Sequence, residues 1–298
     1  MDWLRVEPEK AYRVVQMLCE GIGIRAIERL TGLHRRTVLN ILQVAGEKAA
    51  RLLDSKIRDL ASAEIQADEL FCFVYSKPQN TPKEETEHGE FFTYLAVARE
   101  SKLIVTWRTG KRTAENTDAF LADLRGRLRG EPQLTTDGMG QYAGVDGGVQ
   151  RVFGSNVHYA TEIKRFAKPS LYEPRKVIGI SRRRKIGNPD MSRATICHTE
   201  RTNLSVRLFT RRFTRCTLGY SKKLQNLRYA VALFIAHFNF CRTHSSLRIE
   251  ATDTQPAQDR TPAMAEGITE RIWTIAELFS PTLGSWAGAG WIGKDLQP

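Results

Sequence analysis

The sequence predicts a mixed α/β fold with helices on both sides of it. Three observations carry this. Residues 24–42 (IRAIERLTGLHRRTVLNIL) repeat apolar residues at helical spacing around a glycine turn. Between residues 64 and 163 lie several short runs of aromatic and β-branched residues of strand length. Residues 222–240 then return to one long helical stripe. With 298 residues, 41% of them hydrophobic, the chain can bury a substantial core and divide into two or three units.

Taken in order, Ala11, Val14, Val15 and Leu18 mark a first helix that Gly21 and Gly23 interrupt. Ile24, Ile27 and Leu30 mark a second. TGLH makes a tight turn at Gly32, and Val38, Leu39, Ile41 and Leu42 mark a third helix, which continues through GEKAARLLDSKIRDL as a connector. Helix, short glycine turn, helix is the helix-turn-helix signature, whose second helix enters the major groove. The side chains at its start would be His34, Arg35, Arg36 and Asn40; Arg suits guanine edges and Asn suits adenine edges. Strands are expected at 64–75, 90–98 and 102–109, a helix at 113–128 capped by Thr113, a short strand ending at Asp137, and a last strand at 157–163. Residues 164–193, with SRRRK and GNPD, show little periodicity and read as an exposed insertion. Two long helices follow, the second carrying Leu224, Leu227, Val231, Phe234 and Phe238 as a core stripe. A proline-punctuated loop then leads to a helix over ITERIWTIAELF, 268–279.

Charge narrows the function. Residues 164–248 hold 20 Lys and Arg against 3 Asp and Glu, a net +17; the whole chain is +12, so the remainder is net −5. A positive excess confined to one part of the chain is the footprint of a polyanion partner. The longest apolar run, AVALFIA at 230–236, is far short of the ~20 residues a membrane span needs. Five scattered cysteines without a CxxC indicate reduced thiols. Cys197-His198 and Cys241-x-x-His244 lack the paired spacing of a zinc site.

Three acids stand out. Asp68 interrupts an apolar strand and needs a partner, a metal or a solvent-lined edge. Asp137 ends a strand just before Gly138 and Gly140, where open α/β sheets place ligands, although Asp-Gly alone is also an ordinary turn. Glu200 is the lone acid of HTERTNLSVRLFTRRFTR, 198–215. Together, two aspartates and a glutamate are hard oxygen ligands suited to Mg²⁺ or Mn²⁺. Two such ions could organise an in-line phosphoryl displacement.

A β-β-β-α-β-α-β order with Asp on the first strand, Asp at the end of the fourth and Glu on a later helix resembles the ribonuclease-H-like DDE transposases and integrases. ADEL (67–70), TTDGMGQY (135–142), ERTNLSVR (200–207), YSKKLQNLRYAVALFIAHFNF (220–240), RTHSSLR (242–248) and TPAM (261–264) are similar to the bacterial transposases of the insertion-sequence-one family. The resemblance spans roughly residues 10–280. It implies a mixed five-stranded ribonuclease-H-like sheet over 61–250; the insertion at about 164–193 has no counterpart in the shorter family members and departs from the family pattern. A helix-turn-helix DNA-binding domain would precede it over 1–60, and a tail with one helix would follow over 251–298. It implies Asp68, Asp137 and Glu200 as the catalytic triad holding two Mg²⁺ ions, replaceable by Mn²⁺, and a basic residue seven positions after the glutamate, here Arg207, with Asn203 on the same helix face. Arg182, Arg183, Arg184, Arg211 and Lys222 would add DNA contacts. The implied partners are double-stranded DNA, both element ends and target, and further copies of the chain, at the bacterial nucleoid in the cytoplasm, with no membrane. Glu162, Glu173 and Asp190 are alternative acids in the interval before Glu200, but none is followed by RTNL.

Overall fold

The structure is a computed structural model. It describes residues 6–82, 85–144, 146–167, 176–253 and 255–279. The chain folds into two compact units. One comprises Met1–Lys56, Cys72–Phe91 and Leu204–Pro298; the other comprises Ile57–Phe71 and Phe92–Asn203.

The N-terminal helices are α1 (Pro8–Cys19), α2 (Ile24–Thr31) and α3 (Arg35–Lys56). Ala11, Val14 and Val15 are buried on α1 as the spacing predicts, but Cys19 completes the buried face in place of Leu18, which is half-buried. Gly32, at φ +69°, ends α2 in the left-handed region that glycine adopts without strain. The backbone N–H of Arg35 donates to Glu28 Oε1 at 2.9 Å, so a carboxylate of α2 holds the start of α3. His34, Arg35, Arg36 and Asn40 are all exposed at that start, and Val38, Ile41 and Leu42 are buried beneath them.

The sheet contains six strands in the order β3-β2-β1-β4-β5-β6. They are β1 (Glu64–Val74), β2 (Gly89–Ala98), β3 (Ile104–Gly110), β4 (Gln133–Thr136), β5 (His158–Phe166) and β6 (Val177–Ile186). Between β3 and β4 lies α4 (Ala114–Arg125), capped as expected by Thr113, whose Oγ1 accepts from Asn116 N. It buries Phe120, Leu121 and Leu124 and stops before Gly126, so Leu128, expected on its face, instead bridges to Leu60. Short helices α5 (Gly140–Ala143) and α6 (Gly148–Phe153) follow β4, and α7 (Cys197–Phe209) follows β6. Central β1 pairs with β4 in parallel, and β4 with β5 likewise. The outer pairs, β2 with β3 and β5 with β6, are antiparallel.

The sixth strand corrects the expected count of five and the reading of 164–193 as an irregular insertion. β5 runs on to Phe166, and β6 pairs back along it with Glu162 opposite Arg182. Nearly every residue of β6 is solvent-exposed on both faces, so the two-residue alternation that marks a half-buried strand never appears. Residues 168–175, including the alternative acid Glu173, lie outside the described residues.

The first unit also contains α8 (Leu224–Phe240), α9 (Pro262–Ala265) and α10 (Ile275–Leu278). α8 is buried almost all round from Ala230 to Ala236, and it packs against α3. A Cβ placed on Gly46 of α3 would lie 2.5 Å from Tyr229 Cβ and 2.6 Å from its Cα, so the two backbones meet at a position that admits no side chain. Tyr229 Oη donates to Glu47 Oε1 at 2.9 Å beside it. The expected helix over 268–279 shrinks to α10. Trp273 instead packs its ring tilted against Phe240 with centroids 4.7 Å apart, and its backbone N–H donates to the Phe240 carbonyl left open at the end of α8. Thr274 and Glu277 then close a capping box that starts α10. No helix among the described residues is long and apolar enough to cross a membrane.

Gly46→Ala should therefore force α3 and α8 apart and cost about 1–3 kcal/mol despite alanine's better helix propensity. Urea titration of the two proteins measures this, and an unchanged or raised midpoint refutes the close approach.

Candidate metal and phosphate site

β1 and β4 pair Glu64 with Gln133, Ile65 with Leu134 and Gln66 with Thr135. Continuing that register carries Asp68 level with Asp137, just past the end of β4. Neighbouring residues at one level of a parallel pair face the same side of the sheet, so the two aspartates, one from a strand interior and one from a strand end, meet. The turn after β4 fixes the second. Asp137 Oδ1 accepts from Met139 N at 2.9 Å, and Gly138 takes φ +84° with Ile163 Cγ1 3.0 Å from where a Cβ would stand.

A third carboxylate joins them. One oxygen each from Asp68, Glu69 and Asp137 lies within 4.8 Å of the others. Glu69 follows Asp68 on the same strand, and alternation would send it to the opposite face. β4 stops at Thr136 and the chain turns away at Gly138, whose φ is +84°, so the ladder no longer continues at the level of Glu69. The Glu69 side chain is 1% exposed; its Oε2 accepts from Arg112 Nη2 at 2.9 Å, and Arg112 in turn lies over the Phe92 ring at 5.0 Å. The buried Tyr142 hydroxyl is beside Glu69, yet neither that hydroxyl nor Glu69 Oε1 closes a hydrogen bond of normal geometry.

The electrostatics follow from this crowding. Burial first, and then the charge of Asp137, raises the Asp68 carboxyl to about 6. Burial likewise dominates for Glu69, with Asp137 and Asp68 adding to it, and raises it to about 7 against the opposing pull of Tyr142 and Arg112. Three hard oxygen donors that repel one another, one of them with a buried oxygen lacking a partner, are a chemical fit to a divalent cation.

α7 lies on the face shared by Asp68 and Asp137, and the sheet itself holds its start. Gln66 Oε1 accepts from His198 N at 2.9 Å and from Thr199 N at 3.3 Å. Glu162 Oε1 accepts from Ile196 N at 3.3 Å and from Thr195 Oγ1 at 3.2 Å. These strand side chains, with Thr195 Oγ1 accepting from Cys197 N at 3.3 Å, satisfy the helix start, while the Thr199 hydroxyl is buried without a hydrogen-bond partner. Anchored in this way, α7 brings Asn203 against Asp68, Nδ2 donating to Oδ2 at 2.8 Å. Glu200, one turn earlier, is near enough to raise the Asp68 carboxyl, but its own carboxylate pairs with Lys164 Nζ of β5.

The remaining basic residues are spread over the fold. Arg182 Nε donates to the buried Glu162 carboxylate at 2.9 Å, while Arg183 and Arg184 are exposed on β6. In the first unit, Arg207 is half-buried on α7, Arg211 is exposed just after it, and Lys222 is exposed, its Nζ 4.2 Å from the Tyr220 ring centroid and 5.6 Å from that of Tyr75. The alternative acids resolve by their contacts: Glu162 holds a helix and an arginine, and Asp190 Oδ1 closes a local turn onto Ser192. Glu69, Gln66, Lys164 and Arg112 are the site residues that sequence reasoning passed over. The adjacent acid pair in ADEL was the only sequence signal for any of them.

Neither a protein-family model nor a curated protein matches the chain. Among solved structures it is similar to the Mos1 strand transfer complex, at 11% identity and a TM-score of 0.24 over 52% of this chain and 58% of that one. The Mos1 mariner paired end complex with Mn gives the same values. The piggyBac transposase synaptic complex with hairpin DNA is similar at 9% identity and a TM-score of 0.39, over 78% of this chain and 65% of that one. The chain thus spans 58% of the Mos1 chains and 65% of the piggyBac chain.

Two outcomes test the geometry. Because Asp68 and Glu69 have folded-state values raised to about 6 and about 7, they cost nothing while protonated and destabilise the fold as pH rises through those values. Thermal stability in chelator should fall between pH about 4 and about 7 as the two groups ionise, and the double variant Asp68→Asn, Glu69→Gln should flatten that fall; a parallel pH profile in the variant contradicts the crowding. Gln66→Ala leaves two buried donors of α7 without an acceptor and should cost about 1–3 kcal/mol in urea unfolding, where a loss below about 0.3 kcal/mol would show that α7 does not hang on this side chain.

Proposed function

We propose that the protein is a DNA transposase that cuts and joins strands by phosphoryl transfer. The observation that carries this reading is the convergence of Asp68, from the central strand, with Asp137, from the end of its parallel neighbour, beneath a helix that carries Glu200 and Asn203. A carboxylate cluster beside a net positive stretch of chain suits a polyanionic substrate whose reacting phosphate needs neutralising.

Asp68 and Asp137 would hold Mg²⁺ or Mn²⁺, with Glu200 completing the set once DNA is bound. When bound, the cations supply the positive charge that offsets the charge developing on the phosphate oxygens. Two in-line displacements follow one another at this site. In the first, the oxygen of water attacks the phosphorus at the element end, the P–O3′ bond breaks and the 3′-hydroxyl is released. In the second, that 3′-hydroxyl oxygen attacks a phosphorus of target DNA, a new P–O bond forms and the displaced strand leaves with its own hydroxyl. Asn203 fixes the Asp68 carboxylate by hydrogen bond. Lys164, beside Glu200, supplies a cation that a DNA phosphate can share. Arg183 and Arg184 in one unit, and Arg207, Arg211 and Lys222 in the other, would each offer a phosphate track, while Arg182 is committed to Glu162.

The α2–turn–α3 segment would read the element ends through His34, Arg35, Arg36 and Asn40, exposed together at the start of α3. Two ends must be brought together for transposition, so the active form would contain at least two copies of the chain on DNA.

Asp137→Asn should abolish cleavage and strand joining on a labelled end substrate while end binding by mobility shift stays within about twofold, since it removes a charge from the reacting site and none from the phosphate track. Undiminished joining rejects the catalytic role. Release of the 3′-hydroxyl by wild-type protein, with no joining from a pre-nicked end, would instead make the protein a nuclease. Arg36→Ala should weaken end binding and, if the contact is to phosphate, lower the salt-dependence slope by about 1. Loss of discrimination between end and random DNA at an unchanged slope would assign Arg36 to the bases.

A further inference from the structure

We infer that Glu69, and not Glu200, supplies the third carboxylate of the divalent-cation site in the DNA-free protein, alongside Asp68 and Asp137. The inference deepens the reading above and rests on it only for the presence of a divalent cation.

Four observations support it. Glu69 offers an oxygen within 4.8 Å of oxygens from both aspartates, and Glu200 does not belong to that group. The Glu69 side chain is 1% exposed, and its Oε1 is buried without a hydrogen bond of normal geometry. Asn203, itself buried, gives its Nδ2 to Asp68 and leaves Oδ1 buried and without a partner. That places a second buried hard oxygen without a hydrogen-bond partner on a residue already touching the cluster, while the Tyr142 hydroxyl stands beside Glu69. Finally, the Glu200 carboxylate is already engaged by Lys164. Arg112 supplies one positive charge for Glu69, which leaves the cluster with excess negative charge that a divalent cation would offset.

Adjacent residues of a strand rarely serve one ion, because their side chains diverge. The early end of β4 at Thr136 removes that obstacle here. A pair of ligands from successive positions of one strand also makes a stiff site. Cation binding would then need no movement of α7, which leaves Glu200 free to answer to DNA.

The test uses the full chain without DNA and Mn²⁺ as the probe, read by electron paramagnetic resonance, with thermal melting in chelator and in Mn²⁺. Glu69→Gln should weaken Mn²⁺ binding by at least about tenfold and abolish the Mn²⁺-induced rise in Tm. It should melt at or above wild type in chelator, because it relieves repulsion. Glu200→Gln should bind Mn²⁺ within about threefold of wild type. Wild-type affinity in Glu69→Gln, an equal loss in Glu200→Gln, or no Mn²⁺ binding by the DNA-free wild type each overturns the inference. If Glu69→Gln does not fold, Glu69→Asp decides, since it keeps the charge but withdraws the oxygen by one methylene, and unchanged Mn²⁺ affinity there also overturns it. Strand transfer by the wild type, assayed separately, keeps the two readings apart. Joining with normal Mn²⁺ binding by Glu69→Gln sinks this inference alone, and absence of joining with impaired binding by Glu69→Gln sinks the transposase reading alone.

Discussion

Everything at the site depends on a very short piece of parallel sheet. β1 and β4 pair at three positions only, yet this register decides which residues of two strands separated by a helix and a hairpin stand side by side. Parallel strands need a crossover connection, and here α4 provides it. A slip of one residue would turn Asp68 to the wrong face and leave Asp137 opposite Ala67 or Glu69. The buried residues around the pairing, Ile65, Ala67 and Leu70 on β1 and Leu134 on β4, make that slip costly, because each would exchange a core position for a polar one. Hydrophobic burial of this kind, at about 25 cal/mol per Å², is what holds mutually repelling carboxylates together.

The second support is the start of α7. Helix N-termini leave several backbone N–H groups without intrahelical partners, and usually a residue within one turn satisfies them. Here the acceptors come from Gln66 and Glu162, on strands far away in sequence. The same β1 that carries Asp68 therefore fixes the helix that carries Asn203 and Glu200. Strand and helix are tied at two levels, by Gln66 at the helix start and by the Asp68–Asn203 hydrogen bond one turn further on. Glu162, the strand acid weighed as an alternative to Glu200, turns out to serve this anchoring, and Arg182 neutralises it.

Much of this was legible in the sequence, and the failures have specific causes. Periodicity located α1, α2, α3, α4 and α8, and the strand runs of β1 to β5, because each buries one face or is buried throughout. Asp68 and Asp137 were found because an acid in an apolar strand and an acid before a glycine turn are locally anomalous. β6 was missed because a strand exposed on both faces carries no alternation. Glu69 was passed over because alternation assigns it to the opposite face from Asp68, and only the early end of β4 overrides that rule. Gln66 had no local signal at all, since its partners are 132 and 133 residues away. The tail helix failed for a tertiary reason: Trp273 satisfies the open end of α8 in place of its own helix. Local sequence reports propensity and burial, and it is silent on which distant carbonyl or N–H a side chain will meet.

Among the described residues, β6 closes the sheet order with a strand partner on one side only. Backbone groups along an outer strand invite a strand from another molecule, which is how soluble sheets aggregate. Exposed Ile178 and Ile180 on β6, with Phe166 on β5, would strengthen such pairing. Arg182, Arg183, Arg184 and Lys185 stand on that same strand, and like charges set against like charges keep two such edges apart. The basic run that would meet a polyanion under the proposed function therefore has a second consequence, keeping the free chain from pairing with itself.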